Sequence, residues 1–269
     1  MNIARTLVGA TLAIAFTASA AIAQQPSSPG YHTVACFKLK PDSAAEFRKF
    51  VTDDAHKVAQ GRAATGEITT WYLLRAVFPQ GEAAACDYLV VAIFPKAPHE
   101  LGAEQLDAAI KKAGLNITPE DYVKRRNAVT RLISTAIYQN QATVGSPKKG
   151  DYFRVNYMKV ADGNFDEWIA YEKKVWQPLA EALVKDGKSD GWSLNVRSMP
   201  EGSDLQWQGV TVDVFSSMDA VFADDPQFVE RFRKVHPDIE LGTTFEHFQK
   251  LRTIGLVELF VLEDMVTAQ

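Results

Sequence analysis

The chain is written twice. Moved along by 121 positions without a gap, residues 31–95 meet the same residue types in the second half of the sequence. Val34 meets Val155, Lys38 meets Lys159, Glu46 meets Glu167, Trp71 meets Trp192 and Leu73 meets Leu194. Pro79 meets Pro200, Gly81 meets Gly202, Val91 meets Val212 and Phe94 meets Phe215, with Phe47 opposite Trp168 and Phe50 opposite Tyr171 as conservative pairs. After an insertion of five residues the register resumes at an offset of 126, where Lys124 meets Lys250 and Arg126 meets Arg252. One frame running through strands, turns and helices implies a single supersecondary unit used in duplicate.

Residues 1–23, ahead of the repeat, read as a secretory signal. Arg5 supplies the positive charge, an apolar run extends from Leu7 to about Ala21, and Ala21-Ile22-Ala23 is a small-x-small cleavage site. The run is too short and too rich in Ala and Thr for a membrane span, and no second long apolar stretch follows. Export to the periplasm or the medium is therefore expected. The mature chain would hold 246 residues (269 less 23) in two units, 24–145 and 146–269, free of the membrane after cleavage. A formal net charge of −4 without a Lys/Arg-rich patch argues against nucleic acid as a partner. No CxxC, CxxCH or HExxH occurs, so no metal site is predicted. The five histidines (His32, His56, His99, His236 and His247) lack metal-ligand spacing and read as surface or capping groups.

Each half reads as strand, helix, strand, turn, strand, helix, strand. In the first half the strands are Tyr31–Lys40, Ile68–Phe78, Asp87–Phe94 and about Val129–Tyr138. Ser43 and Glu46 form a capping-box pattern before a helix to about Gln60, residues 103–114 form a short extra helix, and Thr118-Pro119 opens another. The segment Gly145–Gly150 reads as a linker. The second half gives strands over 152–160, 190–199, 207–215 and 255–263, and helices over 164–184, 226–234 and 243–253, with Gly163-Asn164 as a cap. A βαββαβ unit makes a four-stranded antiparallel sheet with its helices on one face, so the predicted class is α+β. Two tandem ferredoxin-like units would bury their bare faces against each other, sheet to sheet.

This element order, its duplication and the Trp-bearing second strands resemble the dimeric α/β-barrel (ferredoxin-like) superfamily in an internally duplicated, single-chain form. The resemblance covers roughly residues 31–265. It implies a fold shared by cofactor-free monooxygenases, EthD-like and NIPSNAP-like proteins, and by haem enzymes such as chlorite dismutases and peroxidases. The cofactor expected here is none, with haem as the alternative. Were haem to bind, His247 would be the better-placed histidine.

Strand parity suggests which side chains face the barrel interior. Leu89, Val91 and Ile93 match Val210, Val212 and Val214 as uniformly apolar sets, so these are assigned to the helix-packed side. Tyr88, Val90 and Ala92, with Gly209, Thr211 and Asp213, are then expected inside. The same test places Arg154, Asn156 and Met158 inside, with Val155 and Tyr157 on the helix side. It also places Tyr72, Ser193, Asn195 and Arg197 inside, and adds Glu258 from the last strand. An apolar wall from the first half and a polar wall from the second would make an amphipathic small-molecule site. Arg197 and Arg154 would stabilise an anion or enolate, Asp213 or Glu258 would be the base, and Tyr88 or Tyr72 would donate or orient. Asn156, Ser193, Asn195 and Thr211 would complete the ligand contacts. The expected partner is a small anionic or carbonyl-bearing organic molecule, bound by a monomer or homodimer; the other reading is a non-catalytic module with these charges paired internally. Parity places Cys36 and Cys86 on different faces, which argues against a bond, while an oxidising compartment favours one. Both states stay open. Trp71 and Trp192, repeated at one place, read as packing anchors.

Overall fold

The computed structural model describes residues 30–99, 101–202 and 204–268. The signal-peptide reading on residues 1–23 lies outside them. In chain order the first half contains β1 (Tyr31–Leu39), α1 (Ala44–Phe50), α2 (His56–Ala64), β2 (Thr70–Phe78), β3 (Tyr88–Phe94), α3 (Ala103–Lys112), α4 (Pro119–Val129) and β4 (Thr130–Gly145). The second contains β5 (Tyr152–Val160), α5 (Phe165–Lys185), β6 (Gly191–Met199), β7 (Gly209–Phe215), α6 (Met218–Phe222), α7 (Phe228–Val235), α8 (Leu241–Leu251) and β8 (Arg252–Thr267). A π-helical turn, Val51–Ala55, joins α1 to α2.

The strands close into one antiparallel barrel in the order β1-β3-β2-β8-β5-β7-β6-β4, with β4 returning to β1. The sheets of the two halves therefore meet edge to edge through hydrogen bonds as well as face to face. The last strand of each half makes this possible. Thr130–Gln139 of β4 pairs with β1, and Ile137–Gly145 carries on to pair with β6. In the same way β8 pairs first with β5 over Arg252–Val261 and then with β2 over Leu259–Thr267. Both strands run past the ends expected from sequence, because their second halves satisfy the backbone of the other sheet.

Strands β1 and β5, β2 and β6, and β3 and β7 begin 121 residues apart (31 and 152, 70 and 191, 88 and 209). The later elements do not keep the offset of 126. Helices α4 and α8 begin at 119 and 241, and β4 and β8 at 130 and 252, a spacing of 122. Lys124 and Lys250 are thus not at equivalent positions.

Helix starts follow the sequence in outline but not in every cap. Thr118 forms the full capping box, accepting from the Asp121 N–H at 3.1 Å while Asp121 Oδ2 accepts from the Thr118 N–H at 3.3 Å. Ser43 does not cap α1: its hydroxyl lies 2.7 Å from the Lys40 carbonyl and 2.8 Å from the Val129 carbonyl, tying the helix start to the end of α4. Asn164 likewise donates to the Lys250 carbonyl at 3.3 Å instead of capping α5. Helix α6 was not visible in the sequence pattern.

Helices cover the outer faces of both sheets. On the first half Phe47, Phe50, Trp71, Leu73 and Tyr88 pack together under α1 and α2. On the second, Trp168, Trp192, Leu194, Met158 and Leu251 do the same under α5 and α8. Trp71 and Trp192 are the packing anchors read from the repeat, each about 5 % exposed or less. Cys36 and Cys86 are bonded, with Cα atoms 5.3 Å apart. Strand parity misled here because Cys86 lies in the loop ahead of β3, where alternation does not apply.

Candidate functional site in the barrel interior

The barrel encloses a cavity of about 380 Å³ between the two sheets. Its first wall is Val34, Leu74, Leu89, Val91 and Ile93; the facing wall is Phe153, Val155, Val210, Val212 and Val214. Gly30, Thr69, Pro95, Pro147 and Gly191, all at strand ends or in loops, mark one end of it. Among the described residues, no Lys, Arg, Asp or Glu lines this space.

The third strands are therefore turned over relative to the sequence reading. Leu89, Val91 and Ile93 with Val210, Val212 and Val214 face the cavity, and Tyr88, Thr211 and Asp213 face the helices. The reason is that both faces of these strands are buried, so uniform apolarity cannot tell one from the other. The telling residue is Gly209: a Cβ there would lie 2.5 Å from the Trp168 ring, so the small residue faces the helix to admit an indole. Tyr88 packs against Phe47 of α1 with ring centroids 4.5 Å apart, and burial pushes its phenol up to about 12.

The first strand of the second half is turned over too. Val155 and Tyr157 point inward, Met158 packs under α5, and Arg154 is exposed outside the barrel. Asn156 and Asp213 meet on the helix side, where Asn156 Nδ2 donates to Asp213 Oδ2 at 2.9 Å and to Thr211 Oγ1 at 3.2 Å. Burial raises the Asp213 pKa, and the Asn156 hydrogen bond and the charge of Arg154 oppose that rise. Arg154, Asn156, Thr211, Asp213 and Tyr88 thus cannot touch a molecule held inside the barrel.

Tyr72, Ser193 and Asn195 do line the cavity. Ser193 and Asn195 belong to a chain of side-chain hydrogen bonds that crosses the β4–β6 seam. Asn140 donates to Asn195 Oδ1 at 2.9 Å, Asn195 donates to Ser193 Oγ at 2.9 Å, and Thr143 donates to Asn140 Oδ1 at 3.1 Å. Polar groups therefore come from both halves, not from the second alone. Tyr72 stands edge-on to Phe153 with centroids 6.1 Å apart, and burial raises its pKa.

Glu258 and Arg197 lie on the inward side of their strands but beyond the cavity lining. Tyr157 lines the cavity, and its hydroxyl donates to Glu258 Oε2 at 2.7 Å. Burial raises both groups, Tyr157 strongly, and the nearby Glu258 charge adds to the rise of the phenol. Arg197 is opposite Tyr138 in the β4–β6 register, and among the described residues its buried Nε has no hydrogen-bond partner. Its charge lowers the Tyr138 pKa, against a larger upward push from burial.

Sequence reasoning missed His32, Tyr138, Asn140 and Thr143. His32 was read as a surface or capping group, yet it lines the cavity and stacks on Tyr138 with centroids 5.5 Å apart and planes 10° from parallel. Burial pushes its imidazole down to about 4. Tyr138 and Asn140 share one parity, but a bulge between Asn140 and Ala142 turns Ala142 to the helix side and Thr143 to the cavity, so simple alternation could not find this wall. The other well-placed histidines are outside the barrel. His247 faces Glu167 at 3.0 Å, His56 faces Asp264 at 2.7 Å, and His236 meets the Val175 carbonyl at 2.9 Å.

A second polar group lies under α5. Glu172 Oε1 accepts from Trp168 Nε1 at 3.0 Å and Arg252 Nε at 3.3 Å, while Oε2 is buried without a partner. Burial pushes Glu172 up to about 7, opposed by Arg252.

With this geometry in view, the comparisons bear on the fold. No family model matches the chain, and no curated protein matches it. Among solved structures, a candidate monooxygenase from Lactobacillus acidophilus NCFM is similar over 90% of this chain and 97% of its own, at 11% identity and a TM-score of 0.54. A candidate monooxygenase from Fusobacterium nucleatum is similar over 89% and 95%, at 8% identity and 0.55. The chain has the fold of the dimeric α+β barrels. A haem-binding protein from Thermus thermophilus also aligns, over 88% of this chain and 92% of its own, at 12% identity and 0.43. That last likeness is too distant to bear on cofactors.

Haem can be tested against the residues themselves. Its propionates would bring negative charge to a lining without a cation, and buried charge needs a partner. His247, the ligand expected from sequence, is outside. The described lining does not fit haem.

Proposed function

We propose that this protein binds a small, uncharged, largely apolar organic molecule in the barrel interior, with one or two oxygen functions meeting the polar seam. The observation that carries this is the cavity itself: two apolar walls, no ionic side chain, and the Thr143–Asn140–Asn195–Ser193 chain along one side. Such a lining rewards burial of an apolar ligand and leaves a few directional contacts to orient it. A carbonyl-bearing ligand keeps its place in this reading, because the second N–H of Asn195 and the Ser193 hydroxyl can donate to it. An anionic ligand loses its place, because Arg154 is outside the barrel and Arg197 is not in the lining. The candidate monooxygenases of the same fold make cofactor-free oxidation of such a ligand the reaction class to assay first.

We also propose that the two halves descend from one unit, on the support of the 121-residue spacing of three strand pairs, and that the protein is exported. Export rests on the signal pattern of residues 1–23 and fits the Cys36–Cys86 bond, which persists in oxidising compartments.

The test is a thermal shift with two probes of similar size. 1-Naphthol, uncharged, is expected to stabilise the protein, by about 2.7 kcal/mol at a concentration a hundredfold above its Kd. Naphthalene-1-sulfonate is expected to leave the Tm unchanged. Stabilisation by the sulfonate alone, or by neither probe, overturns the reading.

A further inference from the structure

We propose that His32 selects ligands carrying a neutral hydroxyl, a phenol or enol, by accepting its hydrogen bond inside the barrel. This rests on the cavity-binding reading above and narrows its ligand class.

His32 is on the inward parity of β1, between Tyr138 of β4 and Ile93 of β3 in register, and it lines the cavity. Among the described residues neither ring nitrogen has a hydrogen-bond partner, although the ring is held in place by its stack on Tyr138. A neutral imidazole has one nitrogen that donates and one that accepts. His32 lines a space walled largely by Val, Leu, Ile and Phe with the polar seam along one side, so an arriving O–H donor can meet a ring nitrogen that the described residues leave unbonded.

The groups around it keep the imidazole neutral. From β4 it faces the Tyr138 phenol; from β3, only apolar side chains; from β2, the Tyr72 phenol. Across the cavity β5 presents Tyr157, already donating to Glu258, and β6 presents Ser193 and Asn195. Arg197, behind Tyr138, is the nearest cation the strand register identifies, and it acts on that phenol. No carboxylate reaches His32 to hold a proton on it, and desolvation favours the uncharged ring. An uncharged acceptor in an apolar space discriminates in one direction. It accepts from a phenol, whereas a phenolate can take only its N–H and brings a full charge that the lining has no cation to pair.

The ladder over the β4–β6 seam complements this. The second N–H of Asn195 can serve a carbonyl on the same ligand while His32 takes the hydroxyl. A hydroxyl and a carbonyl on one planar, apolar frame satisfy both sides of the cavity.

The experiment measures Kd for 4-nitrophenol and for nitrobenzene, its hydroxyl-free counterpart, by calorimetry against pH. Wild type is expected to bind 4-nitrophenol about tenfold more tightly than nitrobenzene below the ionisation of the phenol. That preference disappears as pH rises through the phenol's own pKa, and again as pH falls toward 4. His32→Phe is expected to bind both probes equally. His32→Gln, which keeps an acceptor, is expected to retain part of the preference without the acid limb. Equal wild-type affinities for the two probes would overturn the role of His32 while leaving the cavity-binding reading intact. Failure of both probes to bind would overturn the cavity-binding reading itself. A preference that survives unchanged in His32→Phe would also sink the proposal.

Discussion

Gly209 shows how one residue settles the orientation of a whole strand. A methyl group there would press on the Trp168 ring and lie 2.9 Å from the Asn195 carbonyl, so β7 can only turn this position toward the helix. Every neighbour follows by alternation: Val210, Val212 and Val214 go inward, Thr211 and Asp213 outward. The glycine was plain in the sequence, but its meaning depended on knowing that Trp168 lay above it. Asp213 likewise looked costly in a strand until its partner Asn156 was seen beside it on the helix side. The second strands were legible because Trp71 and Trp192 could only pack under helices, which correctly left Tyr72, Ser193 and Asn195 inside. Glu172 supplies a prediction at this scale. Its folded pKa, near 7, lies above the ordinary 4.5. The unfolded state therefore releases its proton first as pH rises, and stability falls between about 4.5 and 7. Integrated over that window, the loss is on the order of 3 kcal/mol for complete burial. Glu172→Gln keeps an acceptor for Trp168 and Arg252 and should remove most of this dependence. Urea unfolding at pH 5 and pH 7.5 checks it; a wild type equally stable at both would contradict the assignment.

At the scale of elements, the long strands β4 and β8 were the main surprise. The tail of β4, Gln139–Gly145, is too polar to read as strand without knowing that a second sheet awaits it, and the end of β8, Asp264–Thr267, lies past the apolar run that marks that strand in the sequence. Gly145 marks how tightly the two chains approach at the seam: its φ is +75°, and a Cβ would lie 2.2 Å from the Asp190 carbonyl. The Cys36–Cys86 bond ties β1 to the loop before β3 across a separation of 50 residues. A cross-link of that span restricts the unfolded chain and is expected to contribute about 2–5 kcal/mol. The double variant Cys36→Ala/Cys86→Ala should lose that much stability by urea unfolding, with the barrel still formed by circular dichroism. Equal midpoints for the variant and the oxidised wild type would show that the bond constrains nothing.

For the molecule as a whole, element order was enough to predict an α+β barrel, because burying bare sheet faces has few solutions. The repeat could not say which face of each strand would be inside, since a barrel interior lined for an apolar ligand looks like any other core. The proposed site is in that interior, on residues from both halves; Arg154 and Asp213 lie outside it, and Arg197 and Glu258 point inward but are not in its lining. Val212 and Asp213 are adjacent in the chain and point to opposite sides of the same strand. They allow the most direct test. Calorimetric titration with 1-naphthol should show binding abolished in Val212→Phe, which fills the cavity, and in Val91→Phe from the facing wall. Binding should be unchanged in Asp213→Asn. Lost binding in Asp213→Asn with full affinity in both filled variants would contradict a ligand site inside the barrel.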